Sequence, residues 1–495
     1  MSSGFKTPGV YIVEKGNDTN AVVQVATAVP VFIGYTERAT ENGTTLHMRP
    51  TLIHSLSDYE ILFGGAPQPV FTLEKLEDKN ETSVKINGVD YDLKQSDKSQ
   101  FYLYYSLKLF YDNGGADCYI ISIGQYGENP DELELNADVF KNAIKLLDAE
   151  QAPTMLLMPD SLLLNEEDGS YYSVLTAALK QCGEKLDKIA LFDIYGANIE
   201  RPLTEKNKYI NNFRENIGLD YLDFGAAYYP WVKTSIITAN SINYKFFNLE
   251  SLREVIDGKF KSSLENLINA TTEKEKKYWE GGLDPCPEYK LLKKIIANRL
   301  CVLPVTPAMA GLYTRIDRNR GVWKAPANQN LNSVLGPAVK ITNREQEDLN
   351  VDATSGKSIN AIRTFIGIGP AMVWGARTLN GNSKKWRYIN VRRLFILIEQ
   401  SIRKAAISVV FESNTPRTWS NVKGTINSFL TNLWRQEALD GITPTEAFYV
   451  GCGLGETMTQ DDIAEGIMRI QVVARPPRPA EFIEINFEQK MGEQQ

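Results

Sequence analysis

The stretch of sequence that decides the fold begins with Cys118-Tyr119-Ile120-Ile121-Ser122-Ile123, an apolar run that predicts a buried strand. A helix is expected next, because apolar residues recur at helical spacing from Phe140 to Leu147, after the potential capping residue Asn136. The pattern then repeats as strand, helix and strand over residues 154–158, 175–182 and 189–194. Strands that alternate with helices predict a mostly parallel sheet covered on both faces, so the fold class is α/β, or α+β over the whole chain.

Outward from this core the sequence divides into regions of different texture. Within the second region, Val84–Tyr91 carries an Asn-Gly pair that favours a type I′ hairpin. Two amphipathic helices are expected in the last region, over Val391–Val410 and from about Ser420. The predicted organisation is an extended N-terminal segment with the first strands, a β-rich insertion, an α/β domain in two pieces, a charged and solvated helical insertion, and a mixed C-terminal domain, over residues 1–36, 37–111, 112–239 with 299–340, 240–298, and 341–495.

Composition excludes several classes of protein. The chain has 495 residues, and a net charge of −7 gives no general attraction to nucleic acid or anionic membranes. There are two histidines, His47 and His54, so a Ser-His-Asp triad or a histidine-rich metal site has little to draw on. The five cysteines are scattered without a CxxC pair and are expected to be reduced, buried thiols. We expect neither a cleaved signal peptide nor a membrane span.

Two glycine motifs imitate nucleotide-binding loops and fail by position. Ser355-Gly356-Lys357-Ser358 ends like a P-loop, but Val351 stands where that motif needs its first glycine. Gly451-Cys452-Gly453-Leu454-Gly455 is followed by Glu456 instead of the sixth residue of a dinucleotide fingerprint. We therefore interpret the first as a surface loop and the second as a turn at a strand edge. The prediction is a protein that is not an enzyme, with no catalytic residues, no metal site and no cofactor.

One charge pattern calls for an explanation. The segment 357–435 holds thirteen basic and two acidic residues, a charge of +11 within an acidic chain. Such segregation favours an acidic partner surface or self-complementary assembly. The alternative is that individual residues of this segment are simply solvated or paired within the chain.

Many short motifs, in order along the chain, resemble the contractile tail sheath proteins of bacteriophages, R-type pyocins and phage-like extracellular injection systems. The most specific is Gly321-Val322-Trp323-Lys324-Ala325-Pro326-Ala327-Asn328. The others are Thr7–Ile12, Val31–Gly34, Tyr111–Gly115, Ala226–Trp231, Trp374–Leu379, Tyr388–Arg393 and Pro479–Ile483. Residues 40–110 and 240–298 match the family poorly, as outward insertions would.

The resemblance implies a structural subunit that polymerises as stacked six-fold rings around an inner tube and contracts from a metastable extended state to drive that tube through a target envelope. Its implied partners are other copies of itself, the inner tube protein, and baseplate and tail-terminator proteins, without nucleic acid or membrane insertion. Assembly is expected in the bacterial cytoplasm, in a phage tail or a phage-like particle that is released or membrane-anchored. The open alternatives are an α/β nucleotide-binding enzyme and a nucleic-acid-binding protein that uses the 357–435 segment.

The resemblance also assigns roles to residues at both ends and in the basic segment. Terminal arms in this family donate strands to neighbouring subunits, and both ends of this chain carry strand patterns. The candidate inter-subunit strand residues are Val10, Tyr11, Ile12, Val13, Phe482, Ile483, Ile485 and Phe487. The candidate tube-facing basic residues, assigned to the polar face of the first C-terminal helix, are Arg392, Arg393, Arg403 and Lys404.

Overall fold

The computed structural model describes residues 22–77, 83–95, 100–126, 133, 135–201 and 207–482. The strands are β1 Pro30–Thr36, β2 Thr40–Glu41, β3 Thr44–Thr45, β4 Thr51–Ile53, β5 Phe71–Lys75, β6 Val84–Ile86, β7 Val89–Gln95, β8 Cys118–Gln125, β9 Met155–Leu157, β10 Ile189–Asp193, β11 Gly225–Tyr229, β12 Val232–Thr234, β13 Val302–Leu303, β14 Gln329–Asn330, β15 Val334–Pro337, β16 Asn360–Phe365, β17 Gly369–Trp374, β18 Phe448–Gly451 and β19 Gln471–Ala474.

The α-helices are α1 Leu56–Phe63, α2 Leu103–Asp112, α3 Ala137–Leu146, α4 Ser170–Lys185, α5 Lys208–Asn216, α6 Lys261–Asn269, α7 Glu273–Leu283, α8 Pro287–Leu300, α9 Thr306–Arg320, α10 Asn343–Asn350, α11 Ile389–Ile407, α12 Pro416–Arg435, α13 Pro444–Ala447 and α14 Gln460–Ala464. None of the described helices combines the length and the apolar composition that a membrane span requires.

A nine-stranded sheet forms the centre of the larger of two compact units, which takes in the described residues 26–397 and 477–482. Its strand order is β14-β17-β16-β11-β10-β9-β1-β8-β4. The six strands from β16 to β8 are parallel to one another, whereas β4 at one end of the sheet and β17 and β14 at the other pair antiparallel. The mostly parallel α/β core predicted from the sequence is therefore confirmed.

Helices cover this sheet on both faces, and its central strands are therefore buried on both sides. Along β1, Phe32 packs with α2 and α9, whereas Val31 and Ile33 pack with α3 and α4 on the opposite face. Helix α3 begins where the sequence predicts, since the side chain of Asn136 accepts a hydrogen bond from the backbone N–H of Asp138. All five cysteines are buried free thiols, as expected.

Two inserted regions of the sequence pack together. Their described residues within 71–95 and 244–300 are called the outer body below. The small sheet β5-β7-β6 contains the predicted hairpin, with Asn87 and Gly88 both at positive φ (50° and 87°). This sheet joins the second insertion through the Asn248 N–H, which donates to the carbonyl of Phe71 over 2.8 Å. The second insertion has its own buried side chains, Leu252, Ile256, Leu264, Leu267, Tyr289, Leu292 and Ile296. The insertion over 240–298 thus has a core of its own beside the mostly exposed charges of the run 273–277.

The smaller compact unit contains the described residues 22–25 and 398–476. Its main helix, α12, turns Trp419, Val422, Ile426, Phe429 and Leu433 inward. A two-stranded antiparallel sheet, β18-β19, completes this unit with the short helices α13 and α14. The division falls at Ile398, later in the chain than the predicted boundary at 341, because β16 and β17 join the large sheet.

Candidate functional site

The described part of the chain holds no cluster of His, Cys, Asp and Glu side chains that could bind a metal ion. His54 lies on the surface, with its Nδ1 2.9 Å from Asp117 Oδ1, and this carboxylate raises the pKa of the imidazole. His47 is also exposed, so neither histidine takes part in a buried constellation.

The P-loop-like segment is a buried anchor, which corrects its interpretation as a surface loop. Lys357 is 3% exposed, and its Nζ donates a hydrogen bond to the carbonyl of Arg214. Arg214 Nε in turn donates to the carbonyl of Lys357 over 3.1 Å. A lysine held in this way cannot reach a phosphate. The other glycine motif is a turn after β18, as predicted, in which Glu456 accepts a hydrogen bond from the Cys452 N–H.

The basic segment is partly neutralised by acidic residues from distant parts of the chain. Arg377 pairs with Glu481, Arg392 with Asp223 and Arg393 with Asp317, and the three arginines are 3–4% exposed. The placement of Arg392 and Arg393 on a polar, outward face of α11 is therefore corrected. A helical wheel does not predict the burial of these two arginines, because their acidic partners lie 169 and 76 residues away in sequence.

Arg392 is also enclosed by aromatic rings. Its guanidinium carbon lies 4.1 Å from the ring centre of Trp386 and 4.4 Å from that of Phe224. Trp386 further packs edge-on against Phe395 at 5.2 Å between ring centres. These contacts use the faces of Trp386 for packing within the chain, so this residue is not a free platform for a nucleic acid base.

Arg403 and Lys404 differ from the two buried arginines. Both are exposed on the C-terminal half of α11, and neither makes an ion pair with a described residue. They remain available to an external acidic surface. The structure therefore divides the four candidate basic residues into a buried pair and an exposed pair.

The C-terminal segment is held where it leaves the described fold. Arg377 donates two hydrogen bonds to the Glu481 carboxylate, from Nε over 2.8 Å and from Nη2 over 2.5 Å. The Tyr388 hydroxyl donates a third hydrogen bond to the same carboxylate over 3.1 Å. Phe482, the next residue, is 77% exposed. The other candidate strand residues, Val10, Tyr11, Ile12, Val13, Ile483, Ile485 and Phe487, lie outside the described residues.

The sheet β18-β19 offers the geometry of a strand acceptor. Among the described residues each of its two strands pairs with one other strand, so neither outer edge carries a further described strand. Tyr449 and Val473 face each other across the pair and are 46% and 53% exposed, whereas Val450 on the opposite face is buried. A two-stranded sheet with an exposed apolar face is stabilised by further strands.

Comparisons with known proteins identify similar sequences and structures. Residues 381–490 match the family model described as the phage tail sheath C-terminal domain. The tail sheath protein of Vibrio phage KVP40 is 30% identical over 189 residues, a match that covers 37% of this chain and 26% of the phage protein. The chain thus spans about a quarter of the length of this curated relative.

Solved structures match over almost the whole chain. A chain of the anti-feeding prophage helical sheath in its contracted state is 29% identical, with a TM-score of 0.61 over 98% of this chain and 100% of that one. A chain of the contracted PVC sheath complex, from an extracellular contractile injection system, is 26% identical, with a TM-score of 0.61 over 99% of both chains. A chain of the six-fold symmetrised anti-feeding prophage baseplate is 28% identical, with a TM-score of 0.59 over 99% of this chain and 100% of that one. The chain is therefore similar to tail sheath proteins of phages over part of its length, and to sheath and baseplate chains of phage-like injection systems over almost all of it.

Proposed function

We propose that the chain is the structural subunit of a contractile sheath, which polymerises as stacked six-fold rings around an inner tube and contracts to drive that tube through a target envelope. The observation that carries the proposal is the whole-length similarity to a subunit of a helical sheath in its contracted state. The role is mechanical and not enzymatic. The two glycine motifs that suggested nucleotide binding are a buried anchor and a strand-edge turn.

Strand addition is the proposed means of polymerisation. The open edges of β18-β19 are the acceptor in one subunit, and the segments around Val10–Val13 and Phe482–Phe487 are the donors from its neighbours. Each added strand contributes several backbone hydrogen bonds of about 0.5–1.5 kcal/mol each. The exposed pair Tyr449 and Val473 would gain cross-strand contacts on one face of the completed sheet.

The inner tube is the proposed partner of the exposed cations of α11. Arg403 and Lys404 suit this role because they are exposed and have no ion pair among the described residues. Exposed pairs contribute about 0–1 kcal/mol each, so they can steer the sheath onto an acidic tube and still release it during contraction. Arg392 and Arg393 are left out of this proposal because both are engaged inside the subunit.

The remaining partners follow from the same proposal. Similarity to a baseplate chain supports contact with baseplate proteins, and we include a terminator protein at the other end of the tube as a further partner. We place assembly in the bacterial cytoplasm, within a phage tail or a phage-like particle that is released or membrane-anchored. The nucleic-acid alternative is not supported, because four of the thirteen basic residues are buried in contacts within the chain.

Negative-stain microscopy of the purified protein, alone and with its tube protein, tests the proposal. We expect tubes or rings of uniform width. Monodisperse monomers under all assembly conditions would contradict it.

A further inference from the structure

The first turn of α11 contacts the chain at the base of both terminal segments. Asn390 Nδ2 donates a hydrogen bond to the carbonyl of Pro477 over 3.2 Å, shortly before the C-terminal segment leaves the described fold. Arg393 Nη2 donates to the carbonyl of Thr27 over 2.9 Å, shortly after the N-terminal segment enters it. Residues three apart in a helix lie on the same face. One helical face therefore holds backbone from both ends of the chain, 450 residues apart.

Both side chains are fixed by further contacts. Asn390 is 2% exposed, and its Nδ2 also donates to the carbonyl of Trp323 over 2.9 Å. Arg393 is 4% exposed and makes two hydrogen bonds to Asp317, over 2.9 and 2.6 Å. Its guanidinium carbon lies 4.6 Å from the ring centre of Tyr313. Charge-assisted, bidentate bonds in a buried site are the least easily displaced of side-chain hydrogen bonds.

We infer that Asn390 and Arg393 are positioning residues that fix the two arm roots, residues 26–29 and 477–482, to a single helical turn. The inference rests on the proposed function, in which both arms join neighbouring subunits. A pulling force between the two neighbouring subunits that the arms join is then transmitted through α11 and not through the outer body. The spacing between the arm roots is thereby held constant while the rest of the subunit rotates.

Two full-length variants test the inference in the presence of the tube protein. Asn390→Ala removes the donor to the Pro477 carbonyl without leaving a charge unpaired. Arg393→Lys keeps a positive charge beside Asp317 but replaces the fork of donors with one ammonium group, which cannot hold both partners equally well. Arg253→Lys is the matched control, because Arg253 makes a similar two-bond contact with Glu265 on the exposed surface of the outer body.

The readouts are amide hydrogen exchange of the free subunit and sheath length with its urea threshold for contraction. We expect exchange at the Val29 amide, which donates to Thr154 Oγ1, to rise tenfold or more in Arg393→Lys, and we expect both variants to form shorter sheaths that contract at lower urea. Arg253→Lys should change none of these. If Arg393→Lys does not fold, Asn390→Ala decides alone.

Unchanged exchange at the arm roots would overturn the inference, and so would faster exchange with sheaths of wild-type length and threshold. A wild type that forms no tubes overturns the proposed function, and the positioning role of Asn390 and Arg393 with it. Wild-type tubes that both variants reproduce overturn the inference alone.

Discussion

Arg377 and Glu481, 104 residues apart in sequence, form a two-bond ion pair in which the arginine is 3% exposed. Because Arg377 is buried, losing its carboxylate would leave a desolvated charge without compensation. Glu481→Gln should lower the free energy of unfolding by about 2–3 kcal/mol, as measured by urea denaturation. Glu265→Gln, which acts on an exposed pair, should have little effect. Equal stability of Glu481→Gln and wild type would contradict the prediction.

Removal of either terminal arm should prevent assembly without preventing folding. Deletion of residues 1–15, or of the chain from Phe482 onward, leaves the described sheets and their cores intact. We expect a folded, soluble subunit that forms no long sheath, because every subunit loses a donated strand. Circular dichroism checks the fold, and electron microscopy checks the tubes. Truncated subunits that assemble to normal length would reject the linking role.

Charge reversal on α11 should weaken the hold on the tube. In Arg403→Glu with Lys404→Glu we expect less extended sheath to co-purify with tube protein. High salt should have the same effect on the wild type, since the Debye length falls to about 3 Å at 1 M. Lys384→Glu with Lys385→Glu is the matched control, because it changes the net charge equally at two other exposed positions. Equal losses in both double variants would show a general charge effect and not a contact.

Asp160 should make stability depend on pH. Complete burial raises the pKa of its carboxyl to about 7, although the carboxylate accepts hydrogen bonds from the Tyr35 and Tyr102 N–H groups. A native pKa above the unfolded value of 3.8 means that the native state binds the proton more tightly. This contribution to stability is full below about pH 4 and is lost as the pH rises through about 7, with a slope of at most about 1.4 kcal/mol per pH unit.

Urea unfolding of Asp160→Asn between pH 4 and pH 8 measures this contribution. The variant should be less stable at low pH and show a flatter profile than the wild type. Asp168→Asn is the control, because Asp168 is exposed and hydrogen bonds from Ser170 lower its pKa below this window. A wild-type slope that persists in Asp160→Asn would assign the dependence to other groups.

Contraction should need no nucleotide. Lys357, the lysine of the P-loop-like segment, is buried against the Arg214 carbonyl and is not free for phosphate. Sheath length measured after a denaturant or acid trigger should therefore be the same with and without ATP and Mg²⁺. A strict ATP requirement in the purified particle would disprove this.

Local sequence patterns predicted much of the fold. The strand and helix alternation from Cys118, the Asn136 cap and the Asn87-Gly88 hairpin all depend on residues close together in the chain. Pairings between distant segments were not predictable. Strand β16 joins β11 through Tyr228 and Asn360, and no periodicity in either segment specifies that partner.

The candidate site residues were likewise predictable where local patterns decide their exposure and unpredictable where distant segments do. The exposed Arg403 and Lys404 were identified correctly as polar positions, because a helical pattern separates inward from outward faces. Arg392 and Arg393 were misplaced because their burial depends on Asp223 and Asp317, which only the folded chain brings near. The burial of a charged residue cannot be predicted from local sequence when its partner is distant in the chain.

The contact between the two insertions matters for any attempt to replace one of them with a foreign domain. The Phe71 carbonyl accepts from Asn248, and the Arg299 side chain donates to the carbonyl of Leu93, so each region supplies backbone partners for the other. A foreign domain exchanged for one region alone would leave those partners unmatched. Residues 71–95 and 244–300 should therefore be exchanged together and not singly.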